Sequence, residues 1–517
     1  MTPTAAANVA TRRWVSLAGI CTAAGIVWLA FADLGVALPT IANEFHADLG
    51  TLEWANNAFS LVTGALVIAA GKFGDIFGRR RMLLLGTVLF AAFSVVGAVA
   101  NGSGLLIAGR GLMGIGAALI LPATLALIPP QFSGAAQLTA FGVWQAVAWG
   151  GQAVGPAVGG VLTETLSWRW LFWLNLPLAA LAFLVVRAFT PESSDPGASR
   201  RIDWAGLATI GLAVFALLYA LTDGPSAGWG DPLVVALAVA AVALGVAWYF
   251  IESRVREPLV DLSLFKIKPY DGALIANLTM NLSFAGLNYL LVLWLQNVRG
   301  YDAIQAGLLM LPSTLGIFLF IPLGGRMSSR VGSRRPVYIG LLIMSAGILV
   351  LGLVREDVSL GLIMAALVIT GLGLGLLSTP ISNTAVGDVA EDLAGTAAGV
   401  FKMSSMVGGA LGVALLTAFA RSFGSKHTTD AAQLAGLTDQ QVTQTKEALV
   451  GSSSFSDALT HLPQELQATV TRVAKSAFTD GVADAFIITG VVGVLATIVV
   501  VLVWPARTGN TGPEASD

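Results

Sequence analysis

The chain has 517 residues, of which 56% are hydrophobic and only 11% charged, with 59 glycines and a mean hydropathy of +0.79, a composition that a water-soluble domain of this size does not tolerate. A net charge of −2 argues against a nucleic-acid partner, and a single cysteine, Cys21, excludes an intrachain disulfide and a cysteine metal cluster. No nucleophile with a base, phosphate loop or metal-ligand set appears, so neither an enzyme nor a cofactor is expected.

After the basic pair Arg12 and Arg13, the sequence is a procession of apolar runs about 20 residues long, the length that crosses a bilayer as a helix. They predict helices over 14–38, 54–72, 82–100, 104–128, 136–162, 170–189, 204–222 and 233–250, then 272–296, 303–323, 337–354, 359–381, 396–419 and 481–504. The first run is too long for a signal-peptide core and reads as a retained helix. With the N-terminus inside, bases gather in alternate loops: Lys72 and Arg79 to Arg81; Arg187, Arg200 and Arg201; Arg254, Arg256, Lys266 and Lys268; Arg326, Arg330, Arg334 and Arg335. The opposite short loops hold only Arg169, Arg299 and Arg355, so the positive-inside rule puts both ends in the cytoplasm. The loop 382–395 is the exception, with acids and no base.

The segment GKFGDIFGRRR at Gly71 recurs in degenerate form as GRMSSRVGSRR at Gly325, keeping Gly78 over Gly332, Arg80 over Arg334 and Arg81 over Arg335. Two copies of one loop, between helices 2 and 3 and between helices 10 and 11, imply two structural halves. The expected architecture is an all-α polytopic membrane protein: a six-helix bundle over 14–189, an inserted pair over 204–250 and a second bundle over 272–504, with short tails at 1–13 and 505–517.

The chain resembles the drug:proton antiporter-2 family, the fourteen-helix branch of the major facilitator superfamily. The resemblance runs nearly end to end and is carried by VALPTIANEF at Val36, the Gly71 loop, RGLMGIGAAL at Arg110, GQAVGPAVGG at Gly151, SWRWLFWLNLPL at Ser167, IDWAGL at Ile202 and ESRVREPLVDLSLF at Glu252. It implies two bundles rocking about a central cavity, with proton influx driving export of a small hydrophobic molecule, and it implicates Arg110 in proton transfer. Asp33 departs from the pattern: the usual helix 1 aspartate falls at Ala30, and the usual asparagine before VALP is Gly35.

Charges inside a membrane are costly and are functional candidates. Asp33 lies six residues before Pro39 and Arg110 six residues into helix 4, so each is about 9 Å below the outer boundary and the two can meet as a proton-coupling pair. A static ion pair is the alternative. At the other face, Asp75 is expected to accept hydrogen bonds from the N-terminus of helix 13 near Gly395, with Gly71, Gly78, Arg79 and Arg80 completing a cross-bundle latch. Ser329 replaces the aspartate in the second copy, so the latch is one-sided. Gly151, Gly155 and Gly159 form a smooth face on helix 5, where Pro156 bends the chain; interhelix packing alone would explain them equally.

For the cavity, Asn277, Asn281 and Asn288 share a face of helix 9, while Asn57, Gln145 and Ser378 add hydrogen-bonding groups and Trp28 and Trp144 add flat apolar surface. Each is equally explained by interhelical bonding. A neutral, zwitterionic or singly charged lipophile suits this set better than a dication. The polar segment 421–480 reads as an outer appendage with helices near Thr438–Leu449 and from Pro463, and with His427 and His461 as solvent-side histidines. The reading is a bacterial inner-membrane antiporter, monomeric, whose partners are protons, lipid bilayer and a lipophilic small molecule. Export of lipids or a self-made natural product, and a non-transporting receptor or sensor, are the rivals.

Overall fold

The computed structural model describes residues 3–47, 49–194, 202–255, 258–434 and 464–505. Its helices are α1 (Pro3–Ala30), α2 (Leu34–Phe45), α3 (Leu49–Phe77), α4 (Arg79–Ala98), α5 (Ser103–Ala126), α6 (Gly134–Thr165), the short α7 (Trp170–Trp173) and α8 (Asn175–Phe189). After these come α9 (Trp204–Ala227), α10 (Pro232–Glu252), α11 (Lys268–Asn297), α12 (Ala303–Val331), α13 (Arg334–Leu351), α14 (Leu360–Ser382), α15 (Ala394–Leu434) and α16 (Gln464–Val503). Among the described residues there is no strand, and thirteen helices are long and apolar enough to cross a membrane. The fourteenth of spanning length is α6, whose 32 residues reach about 48 Å. It is less apolar than the others because its glutamines, glycines and tryptophans serve an interior seam rather than lipid. On the outside, residues such as Leu184, Val242, Leu319 and Leu502 stand exposed, as a lipid-facing surface requires.

The internal repeat has a structural signature. Gly78 and Gly332 both take positive φ, +105° and +79°, to turn the chain between helices where a side chain would be strained. Arg80 then donates from Nη2 to the Arg187 carbonyl at 3.0 Å, and Arg334 donates from Nη2 to the Val501 carbonyl at 2.7 Å. Each base thereby closes off the last helix of its own half. The expectation that Arg80 bridges the halves is corrected: its backbone N–H and side chain bind Glu192 and Arg187 of the first half.

Three boundaries differ from the sequence reading. Helix 1 is not continuous over 14–38: it stops at Ala30, tightens through an Ala32 N–H to Leu29 carbonyl bond of 2.9 Å, and resumes at Leu34 as α2, with Pro39 inside it. Hydropathy does not register a break made of apolar residues. The segment from Ala394 is a 41-residue helix and the last helix has 40 residues, so the described parts of the supposed appendage, 421–434 and 464–480, are continuations of these two helices. Val470, Val473 and Ala477 are buried there, which is the periodicity seen in the sequence. His427 reaches Asp484 at 2.9 Å, tying α15 to α16. The helix expected near Thr438–Leu449, and His461, lie outside the described residues. Finally, α14 ends in a π turn over Asn383–Gly387, so its register slips where it meets α6.

The inserted helices cover the joint between the halves. Val214 and Leu218 of α9 pack with Leu61 of α3 and Val407 of α15 in one buried cluster, while α10 lies outside α9 with Val239, Val242 and Val246 exposed.

Opposite the Gly71 loop, α2 is held to the α6–α7 corner by Glu44, which accepts from Arg169 Nη2 and Trp168 Nε1, each at 2.7 Å. The Arg169 hydrogen bond chiefly holds the Glu44 carboxyl below its ordinary pKa. A depressed carboxyl contributes stability above its unfolded pKa and loses it as pH falls through the folded value. Both groups are substantially exposed, so the contribution is under about 1 kcal/mol. Glu44→Gln is therefore expected to lower the melting temperature slightly at pH 7 (read by a thiol-independent thermal scan), and the gap to wild type should close once the pH drops beneath the ordinary carboxylate range.

Candidate functional site

Three clusters lie along the seam between the halves. The first surrounds the break in helix 1. A helix that stops leaves carbonyls without partners, and Arg110 of α5 fills one of them: Nη2 donates to the Ala30 carbonyl at 2.7 Å and to Asn56 Oδ1 of α3 at 2.9 Å. Its guanidinium lies 4.5 Å from the centroid of the Phe59 ring, and its Nε is buried without a partner. Asp33 ends the break, only 3% exposed, and forms no ion pair within 4.0 Å among the described residues. Arg110 is the base that bears on it electrostatically. The direct contact expected from matching depths is thus replaced by an indirect one, because the opened backbone at Ala30 competes for the guanidinium. Asn56, which sequence reasoning passed over for its neighbour Asn57, is the second ligand of Arg110; Asn57 is half-buried and takes no part in it.

The break is also where α6 comes closest to helix 1. A Cβ on Gly151 would meet Trp28 Cβ at 3.0 Å, one on Gly155 would meet Ala32 Cβ at 2.6 Å, and one on Gly159 would overlap the Asp33 carbonyl oxygen. The i, i+4, i+8 glycines therefore form the bed of the broken segment. Pro156 points away from this contact and is exposed. Trp28, Asp33 and the glycine face are one mechanical unit.

The second cluster joins the halves at the face that carries the Gly71 loop. Asp75 Oδ1 accepts from Gly395 N at 2.8 Å and from Arg79 Nη2 and Nε at 2.8 and 3.1 Å, and Oδ2 accepts from Thr396 N at 2.7 Å and Thr396 Oγ1 at 2.8 Å. This is an anion at a helix N-terminus, which backbone N–H groups and the helix dipole both favour. Arg79 also donates to Ser193 Oγ at 2.8 Å and to the Glu391 carbonyl across the seam. Gly71 is required by proximity, since a Cβ there would strike the Gly395 carbonyl oxygen. In the second copy, Ser329 Oγ turns back to its own helix at Arg326, and nothing equivalent is built.

The third cluster is central. Gln145 Nε2 donates to the Ser378 carbonyl at 2.9 Å and Trp149 Nε1 to Ser378 Oγ at 3.3 Å, so α6 and α14 are tied across the seam. Trp149 also meets Phe284 of α11 edge-on at 5.1 Å. Trp144 is fully buried, and its Nε1 donates to Thr124 Oγ1 at 3.1 Å. The asparagine stripe is mostly absorbed by packing. Asn277 Nδ2 lies 2.9 Å from the Phe401 carbonyl and 2.8 Å from Ser404 and Ser405 Oγ, Asn281 bonds back to Asn277, and Asn288 donates to its own helix at Phe284. Asn277 is removed from the cavity set on this ground: its amide is committed between α11 and α15. Lys402 of α15, absent from the sequence reading, stands 4.4 Å from the Trp144 ring centroid, 5.2 Å from Trp28 and 5.3 Å from Phe401. Its signal was available, a lone base inside an apolar helix.

With this geometry in view, similarity to known proteins carries definite meaning. Residues 17–413 match the family model described as Major Facilitator Superfamily. The puromycin resistance protein pur8 of Streptomyces alboniger is 36% identical over 410 residues, covering 78% of this chain and 81% of that protein. The tetracenomycin C resistance and export protein of Streptomyces glaucescens is 28% identical over 514 residues, 99% of this chain and 95% of that one. The human organic anion transporter MFSD10 (TETRAN) has the same fold, with a TM-score of 0.60 at 15% identity over 93% of this chain and 99% of that one. With a family model spanning most of the chain and fourteen helices arranged as two bundles and an inserted pair, the protein belongs to the Major Facilitator Superfamily, in the arrangement of its drug:proton antiporter-2 branch.

Proposed function

We propose that the protein exports small lipophilic molecules in exchange for protons, by alternating access between its two halves, in a bacterial inner membrane with both termini in the cytoplasm. The resistance and export roles that name its relatives support the direction and the class of cargo. The observation that carries the coupling is a buried acid at the only break in helix 1 among the described residues, beside a buried base that holds the backbone of that break. When Asp33 is ionised, its charge and that of Arg110 attract; when it takes a proton, the attraction ends and Arg110 is left with the Ala30 carbonyl and Asn56 alone. The break then has two preferred geometries, one for each protonation state. Asp75 and Arg79 lie on the face where bases accumulate, which by the positive-inside rule is cytoplasmic. The conformation is accordingly sealed toward the cytoplasm.

The test is a pH-gradient assay in inverted vesicles, screening lipophilic compounds for proton release. Wild type is expected to release protons on addition of a substrate. Asp33→Asn, an isosteric change, is expected to release none while retaining wild-type abundance and size-exclusion behaviour. Undiminished release by the variant would refute the assignment.

A further inference from the structure

Every strongly buried charge along the seam but one has an opposite charge bearing on it. Asp75 and Arg79 are an ion pair at 2.8 Å, and Asp33 and Arg110 act on one another. Lys402, only 5% exposed, has no acid bearing on it and no hydrogen-bond acceptor among the described residues. An ammonium has three N–H donors and no way to dispose of them on ring faces alone. Cation–π contact offsets only part of the cost of desolvating it. The indole beside it has the same deficit: Trp28 Nε1 is buried and donates to nothing. Two donors without acceptors thus lie together: the Lys402 ammonium over the rings of Trp28 and Trp144, and the N–H on the edge of the Trp28 ring itself. What such a site lacks is an anion with two acceptor oxygens on a planar apolar body.

We propose that Lys402 is the counter-ion of the transported molecule, which is an aromatic organic acid or zwitterion: its carboxylate sits on Lys402 Nζ and Trp28 Nε1, and its ring system lies against Trp28 and Trp144. This assignment rests on the exporter reading and names the substrate class for it. Its position explains how cargo and proton communicate. Trp28 is five residues before Asp33, across the break from it, is seated on Gly151, and lies two residues before the Ala30 carbonyl that Arg110 holds. An anion drawing Lys402 and the indole together therefore acts directly on the broken segment. Lys402 itself comes from the other half, six residues or about 9 Å along α15 from Thr396 of the Asp75 latch.

The experiment uses the purified full chain in detergent, with pyrenebutyric acid and its neutral methyl ester as probes, and energy transfer from tryptophan to pyrene as readout. Wild type is expected to bind the acid roughly tenfold or more tightly than the ester, as a desolvated charge pair dictates. Lys402→Gln should abolish that preference and leave ester affinity unchanged; Lys402→Arg should keep most of it. Trp28→Phe, which keeps an aromatic face but removes the N–H, should weaken the acid several-fold and the ester much less, and it serves if Lys402→Gln does not fold. Equal binding of acid and ester by wild type, binding of neither, or an acid preference that survives Lys402→Gln would each overturn the proposal and leave Lys402 as a static clamp between the halves. Transport of the acid in wild-type vesicles is measured alongside. Its absence together with an intact acid preference strikes the exporter reading and not this one.

Discussion

Arg110→Ala is expected to abolish proton-coupled transport. The guanidinium is 1% exposed and donates to the Ala30 carbonyl and to Asn56 Oδ1, which have no other side-chain donor among the described residues. Its removal leaves the buried Ala30 carbonyl and the half-buried Asn56 Oδ1 unpaired and the Asp33 carboxylate without a base, a change of the kind that costs about 3–5 kcal/mol. Because the two conformers of the broken helix differ by only a few kcal/mol if both are to be visited, a shift of that size depopulates one of them roughly a hundredfold. Arg110→Lys is the informative companion. Lysine restores the charge but not the planar fork that reaches Ala30 and Asn56 together, so it should recover only a minor part of the activity. The vesicle proton-release assay reads both, with detergent-extracted size as the folding control. Full activity in Arg110→Lys would mean that charge alone matters and that the backbone contact is incidental.

The second large effect belongs to Asp75. Its carboxylate accepts five hydrogen bonds from two halves of the molecule, and Arg79 beside it is 1% exposed. Asp75→Asn removes the charge that pairs Arg79 and presents an amide N–H₂ toward N–H donors of Gly395 or Thr396. Breaking one partner of a buried pair costs about 3 kcal/mol or more, which shifts the closed latch toward the open one by roughly a hundredfold. The expected outcome is a strong loss of transport together with a freely accessible interior. A cysteine at Val400, which is buried above the latch, reports it in a Cys21→Ala background. Its labelling by an impermeant maleimide in inverted vesicles should be slow in the parent and fast in Asp75→Asn. Unchanged labelling would show that the seam is held by the packing of α3 on α15 and not by the latch.

Much of this was legible in the chain because it depends on local composition or on exact spacing. The Asp75 contact with Gly395 followed from an acid where topology asks for bases, and the glycines at 151, 155 and 159 followed from period alone. The equivalence of Arg80 and Arg334 was visible as a constant offset, although the partner of each, a carbonyl at the end of the last helix of its half, was not. Asp33 and Arg110 were paired by depth, and depth is a one-dimensional measure. It does not report that helix 1 opens at Ala30 and that the freed carbonyl takes the guanidinium. Asn56 was missed for a related reason: it is unremarkable beside Asn57 and acquires its place from a base on another helix, whereas Lys402, a lone base in an apolar run, stood out in the sequence but its surrounding rings did not.

By itself, then, the sequence determined the fold class and the ladder of apolar spanning segments, because lipid imposes length and apolarity on every spanning segment independently. Tertiary structure alone decided where helix 1 breaks, which acceptor wins Arg110, that α9 covers the seam, and which buried base lacks an acid. Those outcomes are competitions among groups hundreds of residues apart, and a hydrogen bond or an ion pair is won by distance and direction, which no linear pattern encodes.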